Sequence, residues 1–269
     1  MAFYGCHFSF DGIPCTEYGL MMYDFGVSNS GEVSDSLTSD VKIVEDRISR
    51  RYTPLHYGVV MNEPLKFNMT FGADINSVDK GVYFDRWDLN VIASWLTGHD
   101  SYKWLEITQP DMETFRYKCF ITNLKHVDIG KMPWGFSCTV VCDSPYAYLY
   151  PEVFTQVVNG TIVLDLYNKS AHRGFYKPKL ELYVTNGGNF TIQNVSDNMR
   201  ETKFTGLPTS VSSIVIDNEN EVITCNEIQN PYQYFNFNFF RLVHGSNHII
   251  LTGNGTVKIT CEFPMRIGG

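Results

Sequence analysis

The residues best suited to chemistry in this 269-residue chain lie near its C-terminal end. Tyr232-Gln-Tyr-Phe-Asn-Phe-Asn-Phe-Phe240 alternates rings with amides. Read as a strand, it puts Tyr234, Asn236, Asn238 and Phe240 on one face and Phe235, Phe237 and Phe239 on the other. An all-Phe face belongs in a core. Tyr232, Tyr234, Asn236 and Asn238 then form a candidate sugar-contact surface, because rings stack on sugars and amides bond to hydroxyls, although a plain solvent face has the same pattern. Next comes His244-Gly-Ser-Asn-His248, the one close histidine pair. Two histidines can ligate a metal or move a proton, but no carboxylate lies in the eight residues before them and Gly-Ser-Asn is turn chemistry. A structural role is expected. Glycoside hydrolysis needs two carboxylates facing each other across a groove; Asp165, Asp217, Glu219 and Glu221 are available, and spacing alone does not pair them. No phosphate loop, nucleotide fingerprint, nucleophile elbow or zinc-protease helix is present. Neither catalytic residues nor a cofactor nor a metal is expected.

The cysteines point the same way. There are seven, at 6, 15, 119, 138, 142, 225 and 261, with no Cys-x-x-Cys pair. Cys138 and Cys142 share a strand face roughly 13 Å apart, too far for a disulfide. Buried thiols acting as small apolar side chains are expected. Six Asn-x-Ser/Thr triplets begin at Asn68, Asn159, Asn168, Asn189, Asn194 and Asn254. They read as turn and strand chemistry in an Asn- and Thr-rich β protein.

The elements that must position these residues are mostly strands. Aromatics are plentiful, with 19 Phe, 16 Tyr and 4 Trp, and they favour pleated surfaces. Leu65, Phe67, Met69 and Phe71 alternate with polar neighbours, as do Val257, Ile259 and Cys261 near the end. One segment breaks the period: Leu89, Ile92 and Leu96 fall at helical spacing, with Asp88 as the expected cap and Gly98 as an αL stop. Turns are expected at Asp11-Gly12 and at Ile129-Gly-Lys-Met-Pro. Gly245-Ser-Asn and Gly253-Asn-Gly read as turns of a closing hairpin, and 26–40 reads as a surface loop. Between 143 and 151 a Pro-flanked connection marks a domain boundary. Evenly spaced strands follow it, including pairs at 155–159 and 161–167 and at 249–252 and 256–263, and one at 234–240. The expected class is all-β with one short helix (a minor α+β character), in two β-sandwich-type domains, 1–145 and 146–269.

Acidic residues outnumber basic ones 29 to 21, for a net charge of −8. That disfavours stable nucleic-acid binding, which needs a basic footprint. No apolar run reaches 18 residues, so no membrane insertion is expected. The N-terminus lacks the basic start and apolar core of a signal peptide, so synthesis in a cytoplasm is expected.

The order of motifs resembles one family. The opening Phe3-Tyr-Gly-Cys-His-Phe-Ser-Phe-Asp-Gly, then Glu17-Tyr-Gly-Leu20, Arg51-Tyr-Thr-Pro-Leu-His-Tyr-Gly58 and the strand Pro64–Phe71 are similar to the start of distal tail (Dit) proteins of long-tailed bacteriophages. The helix ending Leu96-Thr-Gly98, the strand ending Leu105-Glu-Ile107, and the closing Phe239–Gly253 and Pro264–Gly269 segments follow in the family's order. The resemblance implies an N-terminal ring-forming domain, six copies of which surround the channel that DNA passes through. It implies a C-terminal galectin-like or jelly-roll domain outside the ring. The implied partners are the tail-tube (major tail) protein, the tail-tip or tail-associated protein and, in many phages, a receptor-binding protein. The place implied is the virion tail tip or baseplate. An adhesin gripping cell-wall sugar through residues 146–269 is the alternative.

Overall fold

The computed structural model describes residues 7–23, 41–61, 63–74, 83–108, 115–172 and 174–266. The surface loop at 26–40, residues 3–6 of the opening and the segment 109–114 lie outside the described residues. The chain divides into two compact units, residues 1–148 with 266–269, and residues 149–265.

Unit 1 contains β1 (His7–Phe10), β2 (Ile13–Pro14), β3 (Leu20–Met22), β4 (Val41–Asp46), β5 (Leu55–Met61), β6 (Lys66–Ala73), α1 (Arg86–Thr97), β7 (Lys103–Thr108), β8 (Phe115–Ile129), β9 (Met132–Cys142) and the start of β10 (Ala147–Leu149). Its main sheet runs β2-β1-β7-β8-β9-β6-β3 with antiparallel neighbours throughout. The expected turns form: Asp11 and Gly12 take φ 52° and 76°, Gly130 and Lys131 φ 62° and 70°, the left-handed pair that matches hairpin twist. Leu65, Phe67, Met69 and Phe71 are all buried.

α1 is the one α-helix among the described residues, and its ends differ from expectation. Asp85 is the cap, its carboxylate accepting from the amides of Trp87 and Asp88 at 2.7 and 2.8 Å. Asp88 sits three residues on and returns the favour by accepting from the Asp85 amide, a capping box. Gly98 is not left-handed, having φ −80°. The helix is pinned by Trp95, which stacks on Tyr18 at 4.4 Å and Phe8 at 5.9 Å and donates from Nε1 to the Phe10 carbonyl.

Unit 2 contains β11 (Glu152–Asn168), β12 (Lys179–Val184), β13 (Gly188–Asn194), β14 (Arg200–Leu207), β15 (Ser213–Asp217), β16 (Val222–Thr224), β17 (Gly245–Cys261) and β18 (Pro264–Met265). The expected closing hairpin is not one. Gly253-Asn-Gly lies inside the single 17-residue strand β17, and the segments expected at 155–159 and 161–167 are likewise one strand, β11. The two strands pair residue for residue from Glu152↔Cys261 to Asn168↔Gly245. The glycines bend the ribbon instead of reversing it: Gly253 and Gly255 have φ 147° and 151°, and Gly160, paired with Gly253, has φ 84°. Before the bend β17 pairs with β13, and after it with β12. One long strand thereby serves two wings, β13–β14 and β12–β15–β16, whose apolar faces close on a common core of residues such as Phe190, Phe204, Leu182, Ile214, Val257 and Ile259. Val257, Ile259 and Cys261 point inward as their alternation requires.

Candidate functional site

The segment 232–240 does not form a strand. Pro231 starts a 3-10 turn that ends at Tyr234, capped by the Asn230 side-chain oxygen Oδ1 accepting from the Tyr232 amide, and the chain then continues as irregular backbone apart from a bridge between Phe235 and Phe204. The two-faced reading therefore fails. Phe235 and Phe240 are buried while Phe237 is 65% exposed. The candidate sugar contacts have other work. The Tyr232 hydroxyl accepts from the Ile223 amide at 2.9 Å. Asn236 ties the segment to β14, donating to the Glu201 carbonyl and accepting from the amides of Lys203 and Asn238. Tyr234 is half-buried and Asn238 exposed. The large ring left on the surface beside the exposed Asn236 and Asn238 is Phe237, stacked on Tyr232 at 6.1 Å.

Sequence reading missed what holds this segment in place. Four fully buried asparagines clamp its far end and the residues just beyond, 240–245. Asn247 accepts from the Val243 amide and donates to the carbonyls of Val243 and Gly245. Asn194 donates to the Arg241 carbonyl and to Asn247 Oδ1, both at 2.9 Å. Asn168 donates to the Val243 carbonyl, and Asn218 accepts from the Phe240 amide and donates to the Pro178 carbonyl. Irregular backbone can be buried only if its amides and carbonyls find partners, and here side-chain amides supply them. Two of these asparagines, Asn168 and Asn194, head Asn-x-Ser triplets, yet both are buried. Arg241 adds a bidentate pair to Asp197 at 2.7 and 3.1 Å, with its guanidinium over the Phe175 ring.

The histidine pair also looks different in three dimensions. The ladder sets Asp165 opposite His248, and Asp165 Oδ1 lies 2.7 Å from His248 Nδ1. Both groups are well exposed, and Ser196 Oγ accepts from the His248 backbone amide. The other acids lie elsewhere: Asp217 accepts from Asn220 in the β15–β16 turn and Glu221 pairs with Lys177. No cluster of three or more metal-ligating side chains occurs among the described residues, and no helix there is long and apolar enough to cross a membrane.

Cys15, Cys119, Cys138, Cys142 and Cys261 are buried and free, and Cys225 is half-buried. Burial pushes the thiols of Cys138, Cys142 and Cys261 up to about 12 and Cys119 higher still. Cys225 is raised too, by partial burial and by donating to the Glu227 carboxylate at 3.2 Å. Among the described cysteines, Cys225 is thus expected to be the first to react with a disulfide reagent in the native protein. Its rate should climb with pH as the thiolate forms, and Glu227→Gln should accelerate it. Equal reactivity of Cys138 or Cys261, read by mass spectrometry of labelled peptides, would contradict this.

The most conspicuous surface feature is in unit 1. β4 and β5 pair only with each other among the described residues, from Val41↔Met61 to Asp46↔Leu55. Ile43, Val44, Ile48, Tyr52, Tyr57 and Val59 along this ribbon are all exposed, Tyr52 completely at 102%. A lone two-stranded ribbon is marginal in water, and apolar side chains gain roughly 1.5–3 kcal/mol each when fully covered.

Two family models cover the chain. One, described as phage tail protein N-terminal domain, matches residues 3–144; the other, described as phage tail C-terminal domain, matches 146–261. The chain belongs to this family of phage tail proteins. No curated protein matches it. Among solved structures, the Dit (gp 19.1) protein of phage SPP1, described as a paradigm of the hub adsorption apparatus in phages infecting Gram-positive bacteria, is similar over 96% of this chain and 98% of its own, with TM-score 0.64 and 13% identity. A chain of the phage P2 baseplate in its activated conformation with Ca matches over 94% and 97%, at TM-score 0.56 and 10% identity. The Sr form of that baseplate matches over 95% and 97%, at 0.53 and 11%. The fold is Dit-like, as the sequence motifs imply, and the protein is a structural component of the phage tail.

Proposed function

We propose that this chain is the hub at the distal end of the tail tube. Six copies close into a ring through residues 1–145, join the major tail protein on one side and the tail-tip protein on the other, and surround the path of DNA. Residues 146–269 form a galectin-like domain outside the ring, where a receptor-binding protein can attach. The role is structural and involves no catalysis, and the protein works in the virion after synthesis in the host cytoplasm.

The observation that carries this reading is the β4–β5 ribbon. It has apolar side chains to cover and no covering element in its own chain among the described residues. A neighbouring copy satisfies it, and an arm of one copy laid on a different face of the next is the heterologous contact that closes rings. Charge agrees: six copies at −8 each carry about −48, and an acidic lining repels phosphates so that DNA slides through. Light scattering of the purified chain over a concentration series is expected to reach a species near six times 30.8 kDa. A monomer at every concentration would count against the ring.

The adhesin alternative keeps one supporting observation, the exposed Phe237 ring stacked on Tyr232. Calorimetric titration with cell-wall polysaccharide, with Phe237→Ala as control, separates it from a purely architectural role.

A further inference from the structure

A pocket of about 440 Å³ opens beside α1, lined by the aromatic residues Tyr18, Tyr83, Phe84 and Trp87 and by the acidic residues Glu17 and Asp88. Trp87 is 72% and Tyr83 49% exposed. Large rings at this exposure are unusual for surface residues of a helix start, where polar side chains suffice. Asp88 is held in place by the Asp85 amide, so its carboxylate is oriented before any ligand arrives. Rings and carboxylates together select a cation, because the ring faces carry negative charge density and the carboxylates supply the opposite formal charge. A guanidinium fits better than an ammonium, since it is flat, stacks on rings and forks onto carboxylates.

The chain itself carries such a group on an unpartnered arm. The tip of the β4–β5 ribbon reads Arg47-Ile-Ser-Arg-Arg-Tyr52. Arg47 makes a loose pair with Glu45 at 3.8 Å, whereas Arg50 and Arg51 are exposed and have no carboxylate partner among the described residues. The turn closes with the Arg51 amide donating to the Ile48 carbonyl at 3.1 Å, which makes Arg50 its third residue, at φ 69°. Glycine or asparagine takes that left-handed position at least cost. An arginine there keeps strain in the free arm, and such strain points to a role for the side chain.

We infer that the pocket formed by Trp87, Tyr83, Glu17 and Asp88 receives Arg50 from the ribbon tip of a second copy of this chain. The inference rests on the ring reading and deepens it, by naming the lock and key of the contact between neighbours. No ribbon residue lines the pocket of its own chain, so the partner is another copy, and the charge complementarity between an arginine tip and an acidic, aromatic receptor sets the orientation. The apolar ribbon residues add area, while Arg50 sets the register.

The test is sedimentation velocity of the full chain over a concentration series, comparing wild type with Arg50→Gly, Arg50→Glu, Trp87→Ala and the exchange Glu17→Arg with Arg50→Glu, with a thermal melt of each. Arg50→Gly relieves the turn, so it is expected to melt no lower than wild type and yet to associate about 10- to 30-fold more weakly, the loss of a desolvated cation–ring contact. Trp87→Ala should weaken association by a similar factor, Arg50→Glu by more, and the exchange should recover part of the loss. If wild type assembles and all three single variants assemble equally well, the pocket is not the receptor, while the ring stands. If wild type never assembles, the ring reading falls and this inference with it.

Discussion

Gly255→Ala is expected to destabilise the second unit by about 2–5 kcal/mol, enough to lower its melting temperature by roughly 10 °C or more. A Cβ built on Gly255 lies 2.1 Å from the Tyr183 carbonyl oxygen and 3.1 Å from its carbon, both backbone atoms. The residue has nowhere to retreat. It is paired with Val184 of β12 on one side and Val158 of β11 on the other. Its φ of 151° adds a conformational penalty of about 1–2 kcal/mol for any L side chain, on top of about 1–3 kcal/mol for overpacking. Gly160→Ala is the internal control. Gly160 also has positive φ, but a Cβ there meets nothing within 4 Å, so only the conformational part should be lost. If calorimetry placed the two variants at the same melting temperature, the close approach at the bend would not be what the glycine is for.

Asn247→Leu, nearly equal in size, is expected to cost about 3–5 kcal/mol as well. The substitution leaves the Val243 amide, the Gly245 carbonyl and one N–H of Asn194 without their partners, in a place where Asn247 itself is 1% exposed. Each buried orphan costs about 1–3 kcal/mol, and the losses are not strictly additive. The Val243 carbonyl keeps a donor in Asn168. The loss should also be local before it is global: amide exchange at Phe240 and Val243 should speed up before exchange within β17. Asn238→Leu, at an exposed position of the same segment, should change stability by no more than about 0.5 kcal/mol. Equal melting temperatures for the two leucine variants would show that the amide clamp does not hold the segment.

These two positions mark where sequence and structure part. Gly253-Asn-Gly reads as a turn because such triplets usually reverse a chain between two short apolar runs. Nothing local separates a reversal from a bend; the difference is that β11 offers an unbroken antiparallel partner over seventeen residues. The Tyr/Asn/Phe alternation at 232–240 reads as a strand for a similar reason. It fails because Pro231 starts a turn and Asn236 then ties the chain to Glu201 and Lys203 of β14, while buried amides from Asn168, Asn194, Asn218 and Asn247, brought together from distant parts of the chain, hold the backbone just beyond, at 240–245. The shared strand face that grouped the candidate sugar contacts goes with that strand. The pocket beside α1 had no signal in sequence, since Glu17 and Tyr18 come from one end of unit 1 and Trp87 from the helix.

The sequence by itself determined the class, the central helix, the two hairpin turns at Asp11-Gly12 and Gly130-Lys131, the inward faces of β6 and β17, and the likeness to distal tail proteins. All of these are written in short-range period, in residues that tolerate left-handed backbone, or in the order of motifs. Only the tertiary structure decided that the last long strand spans two wings, that asparagines hold the irregular backbone at 240–245, that Asp165 meets His248, and that unit 1 carries both an uncovered arginine-tipped ribbon and an acidic aromatic pocket. Those facts depend on which distant groups satisfy a buried amide or cover an apolar face, and residues far apart in the chain settle that together.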